Sequence, residues 1–232
     1  MYYGPNYLLY LLISLPALIL GFIAQIKVKS TFNKYSQVRS YTGASGAQVA
    51  RHILDDNGLS NVEVQQVGGF LSDNYDPRSR VLRLSQNVYA SNSIAAAGVA
   101  AHEAGHALQH KAGYFPMQIR SLMVPSVQIG SWLGPIIFMA GLLLQFDTLA
   151  WIGLILFTAT ALFALVTVPV ELDASNRAKV WLVSSGALVE SELPGVNAVL
   201  SAAAWTYVAG ALQAITTVLY YAMLLLGRQR RK

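Results

Sequence analysis

The sequence predicts a mainly α, multi-pass membrane protein: about four transmembrane helices plus a small α+β extramembrane domain. Three observations predict it. The chain is 54% hydrophobic and 12% charged, where a soluble domain carries roughly 25% charged residues. Four apolar stretches each approach or exceed the roughly 20 residues that cross a bilayer as a helix. The polar chain between the first and second stretches mixes helical periodicity with short alternating runs.

The first span is residues 7–26, followed at once by Lys27 and Lys29. It lacks a basic leader and a clear small-residue cleavage site, so residues 1–26 are expected to stay as an anchor. Residues 124–146 and 148–170 are joined by the tight turn Gln145-Phe146-Asp147-Thr148, and the segment 124–170 is expected to be a transmembrane hairpin. Residues 206–226 form the fourth span, and the segment 206–232 ends in the basic tail Gly227-Arg228-Gln229-Arg230-Arg231-Lys232. The stretch 195–210 is apolar enough to leave an odd number of spans open.

Four spans put residues 27–123 and 171–205 on one side of the membrane. Lys27, Lys29, Lys34, Arg39, Lys111, Arg120, Arg177 and Lys179 flank the spans there. The positive-inside tendency then places that side in the cytoplasm of a cell-membrane protein, against the preference of the basic tail. The absence of cysteine decides nothing about the compartment.

Within residues 27–123, the stretch 45–58 reads as a helix with Ala47, Val49, Ala50, Ile53 and Leu54 on its apolar face and Gly58 ending it. Residues 62–67 and 80–85 alternate and read as strands, separated by a long turn over residues 68–77. Ser91-Asn92-Ser93 offers N-caps for an alanine-rich helix over 94–108, which Gly113 can end after Lys111. That helix bears two histidines four residues apart, His102 and His106, and helix, short sheet and then such a helix is the order found in zincin-type proteases, where an edge strand can hold an extended peptide. The run 81–85 is the candidate for that strand.

The alanine-rich helix carries His102-Glu103-Ala104-Gly105-His106. Residues four apart share a helix face, so His102 and His106 can bind one Zn²⁺, and Glu103 is placed to act on a metal-activated water. A third protein ligand is needed, and His52, His110 or a carboxylate could supply it. His110 extends the four-residue row but lies roughly 12 Å from His102 along a straight helix, too far for one small ion. Ala107-Leu108-Gln109 provides no break to fold it back, so His110 reads as a residue beside the ligands or near the helix end. His52 has no partner spacing and reads as a surface histidine. Glu171, directly after Val168-Pro169-Val170, is the better ligand, carried by the helical segment 171–205. Asp173 points to another face and is a candidate orienter of a histidine. Tyr75, His110, Asn176 and Arg177 are candidates for contacts to substrate or for stabilising developing negative charge.

The stretch 99–109, Val-Ala-Ala-His-Glu-Ala-Gly-His-Ala-Leu-Gln, resembles the active-site helix of the YugP-type membrane zinc metallopeptidases. Residues 71–77, Leu84-Ser85 and residues 169–175 share that resemblance, which covers nearly the whole chain. More distantly the pattern is similar to the M48 membrane proteases. The resemblance implies His102, His106 and Glu171 as zinc ligands and Glu103 as catalytic base. Two positions depart from the patterns: Asn74 stands where a histidine is expected, and Ser175 where the M48 pattern has aspartate.

The resulting expectation is a membrane-bound zinc metalloendopeptidase that hydrolyses peptide bonds. Its partners are the lipid bilayer and a protein or peptide substrate, with no nucleic acid. The alternative is a non-catalytic membrane interaction protein with a structural zinc site, which would have no need of Glu103. A transporter component fits less well, since Asp147 at the hairpin turn is essentially the only ionisable residue in the spans.

Overall fold

A computed structural model describes residues 7–229 of the chain. Residues 1–6 of the anchor and Arg230, Arg231 and Lys232 of the basic tail lie outside the described residues.

Four long helices carry the apolar stretches: α1 (Tyr7–Ser36), α5 (Phe115–Leu143), α6 (Asp147–Ser184) and α7 (Leu193–Gln229). Each is long and apolar enough to cross a membrane. Between the first two lie α2 (Gly46–Asp56), β1 (Glu63–Val67), β2 (Asn74–Asp76), β3 (Val81–Ser85), the short α3 (Gln86–Tyr89) and α4 (Ile94–Lys111). A single 3₁₀ turn, Glu190–Glu192, precedes α7. The fold is mainly α with one small sheet. The stretch 195–210, which left an odd span count open, is part of α7, so the described residues hold four candidate spans.

Two features go beyond the sequence reading or correct it. The third span and the start of the helical segment after it form one helix: α6 runs through Pro169 and on to Ser184. Proline removes one backbone donor, but the rest of the ladder continues around it. The strand 81–85, expected as an edge, is not one. The sheet order is β1-β3-β2, with β3 parallel to β1 and antiparallel to the unforeseen β2. Leu82 and Leu84 on this central strand are fully buried, so the free edges belong to β1 and β2.

The chain forms two compact units. One contains the described parts of Met1–Ile23 and Thr206–Lys232 together with Gln118–Val168. Here α5 and α6 form the expected hairpin, closed where Phe146 N–H donates to Gly141 O at 2.9 Å. Phe138 stacks on Tyr221 with ring centroids 4.0 Å apart. Arg228 of the basic tail pairs with Asp147 of the hairpin turn, Nε to Oδ1 at 3.1 Å.

The other unit, Ala24–Met117 and Pro169–Trp205, holds the sheet and the motif helix. Its helices start where the sequence offers caps. Ser45 and Gln48 form a reciprocal capping box on α2, and Ser93 Oγ accepts from Ala96 N–H at the start of α4. Val49, Ala50, Ile53 and Leu54 of α2 pack into one core with Leu82, Leu84, Val88 and the alanines of α4. Thirteen of the 18 residues of α4 are buried. Small side chains on most faces let neighbouring backbones approach it closely.

Candidate metal centre

The motif predicts two histidines on one face of α4, and the fold places α6 against that face. The approach depends on Gly105. A Cβ built there would lie 2.6 Å from the carbonyl oxygen of Ala174, far inside van der Waals contact. With glycine in place, α6 comes close enough for its next polar side chains, Glu171 and Ser175, to meet the imidazoles.

Glu171 Oε2 lies 3.1 Å from His102 Nε2 and 3.5 Å from His106 Nε2. Donor atoms of the three residues all fall within 4.8 Å of one another. His106 and Glu171 are buried and His102 is partly so, and the two rings meet edge to face at 82°. The opposite ring nitrogens are engaged elsewhere. His102 Nδ1 is 3.1 Å from Ser175 Oγ, and His106 Nδ1 is 2.9 Å from Gln109 Oε1. Two Nε2 atoms and one carboxylate oxygen therefore converge, each imidazole braced from behind. That donor set and that bracing fit a zinc ion, which favours nitrogen and oxygen ligands with hydrogen-bonded outer partners.

Glu103 follows His102 and is buried. Burial pushes its carboxyl above the ordinary carboxylate range, charge on His102 and His106 pulls it back, and Glu171 and Asp73 push it up again. Burial also opposes charge on His106, but the hydrogen bond and charge of Glu171 outweigh it and hold that imidazole above its usual value. Asp73 anchors the loop before β2. Its Oδ1 accepts from Ser85 N–H at 2.7 Å, while burial raises its carboxyl against the Ser85 hydrogen bonds.

The remaining sequence candidates separate into two groups. Asp173 stands by the cluster but touches no histidine; it accepts from Gln109 Nε2 at 2.8 Å and from Arg177 Nε at 2.6 Å. Arg177 thereby holds the far end of this chain of contacts, with its guanidinium over the Tyr114 ring. His110 is exposed and outside the donor group, hydrogen-bonded through Nδ1 to Tyr75 OH at 2.9 Å. Asn176 is exposed. His52 is exposed as expected, 3.4 Å from Asp56. Asn74 is exposed on β2 and its side chain donates to Ser72 O.

Gln109 was given no role by sequence reasoning, yet it is fully buried and touches both helices. The available signal was its spacing, three residues after His106 and so on the same face. Ser175, four residues after Glu171, carries the same kind of signal.

A family model described as "Putative neutral zinc metallopeptidase" matches residues 10–226. The chain belongs to this family. A relative from Bacillus subtilis (strain 168), named "Putative membrane protease YugP", is 48% identical over 220 residues, covering 95% of this chain and 98% of its own. No solved structure matches. Zinc is the metal of the family, and the His102, His106 and Glu171 group is the one set among the described residues arranged to hold such an ion.

Proposed function

We propose that the chain is a membrane-bound zinc endopeptidase in which His102, His106 and Glu171 hold the metal and Glu103 is the base. The observation that carries this reading is the convergence of both Nε2 atoms on Glu171 Oε2, with Glu103 on the same helix as the histidines. The Bacillus relative's name as a membrane protease supports peptide bonds as the substrate class.

Bound zinc would supply a Lewis acid that activates water and polarises a carbonyl. Glu103 takes up a proton at its carboxylate as the water oxygen bonds to the peptide carbon, and delivers it to the leaving nitrogen as the C–N bond breaks. Its burial favours the neutral carboxyl and so helps it hold the proton between the two steps. Ser175 and Gln109 keep the imidazoles aimed. Glu171 directly follows an apolar run on α6, which favours substrates in or close to the bilayer. The basic residues flanking the spans favour a cytoplasmic site.

Glu103→Gln tests this reading. Zinc content is expected to stay at the wild-type level while cleavage of a flexible protein such as casein falls about 10²- to 10⁴-fold. Equal zinc-dependent cleavage by both proteins would remove Glu103 from the chemistry.

A further inference from the structure

Gln109 is more than a filler between α4 and α6. Its Nε2 lies 2.8 Å from Val170 O and 2.8 Å from Asp173 Oδ2. A backbone carbonyl can only accept, and Asp173, paired with Arg177 at 2.6 Å, also stands as an acceptor. The amide edge that faces them must therefore be the NH₂. The other edge, Oε1, has no hydrogen to give, and it faces His106 Nδ1 at 2.9 Å. That contact is a hydrogen bond only if Nδ1 carries the proton.

We propose that Gln109 is the positioning residue that fixes His106 in its Nδ1–H tautomer, so that Nε2 alone presents a lone pair to the metal. The inference rests on the proposed role of His106 as a ligand and extends it. A neutral imidazole carries one N–H, and without a directing partner it divides between the two nitrogens. Here the choice is made by a fully buried amide, itself oriented by α6 at a carbonyl and at an ion pair. His102 has no such lock. Its Nδ1 partner is the Ser175 hydroxyl, which can donate or accept. The zinc site thus has one imidazole held in a single tautomer and one free to adapt.

The test uses the full-length chain in detergent and reads metal and protons rather than cleavage. Zinc affinity is measured by competition with a chromophoric chelator. Gln109→Leu is expected to bind about 10- to 100-fold more weakly than wild type. Ring ¹⁵N spectra of the zinc-loaded wild type provide a readout that needs no folded Gln109 variant. They are expected to show His106 protonated at Nδ1 and metal-bound at Nε2, with Ser175→Ala identifying the His102 ring. Wild-type affinity in Gln109→Leu, or a His106 ring bound through Nδ1, would each overturn the proposal. His106→Ala separates the two levels. Zinc retained in His106→Ala overturns the ligand reading and this inference together. Zinc lost there but kept at full strength in Gln109→Leu overturns the inference alone.

Discussion

Two close helix crossings use the same device for different ends. In the hairpin, Cβ atoms built at Gly141 and Gly153 would each lie 2.3 Å from a backbone nitrogen of the opposite helix, Ala150 and Phe138 respectively. Gly130 and Gly134 make similarly tight approaches further along the same seam. In the second unit Gly105 does the same against Ala174. The hairpin seam is lined with apolar neighbours, and contact is its whole yield, as expected where helices pack in lipid through small residues. The α4–α6 crossing is flanked by His102, His106 and Gln109 on one helix and by Glu171, Asp173 and Ser175 on the other. Close backbones there turn polar side chains from solvent-facing groups into a buried, mutually satisfied cluster. Backbone proximity is common to both crossings, and the residues one turn either side decide whether it makes a seam or a site.

The comparison can be broken most sharply at Gly105. Gly105→Val must part α4 from α6, so zinc affinity is expected to fall by more than about 100-fold, beyond the usual effect of an outer contact. Stability should drop by about 1–3 kcal/mol from overpacking, seen in chelator competition and thermal unfolding of the same preparation. Retained zinc binding would show that the crossing is not what assembles the donors. The matching change in the hairpin, Gly153→Ala, should cost a similar 1–3 kcal/mol of stability and leave zinc affinity as it was; a loss of affinity would erase the contrast between the two crossings. The smallest effect is expected from Ser175→Ala. It removes one brace from His102 while leaving both helices in register, so zinc affinity should weaken by about tenfold while the melting temperature of the metal-free protein stays unchanged.

The features legible in the sequence are those set by near neighbours. The spans follow from runs of apolar residues, the start of α4 from Ser93, and the paired histidines from their four-residue spacing. Even Glu171 was accessible, because a carboxylate directly after an apolar run stands out. The features missed depend on partners far along the chain. Gln109 and Asp173 are 64 residues apart, and although spacing puts Gln109 on the face of His106, nothing local shows what will cover that face until α6 arrives. The strand β2 is three residues, Asn-Tyr-Asp, of which two have poor strand propensity, and it is held by pairing with β3.

Chain order has a consequence for how such an enzyme is made. The two histidines and Glu103 precede the hairpin in sequence, whereas Glu171 and Ser175 lie on its second helix beyond the apolar run, 69 and 73 residues after His102. On the proposed ligand set, a growing polypeptide that has exposed its motif helix still lacks a donor and a brace until both hairpin spans have been synthesised. On that ligand set the donor group stays incomplete through this stage of synthesis. Its completion coincides with the passage of the chain through the membrane and back.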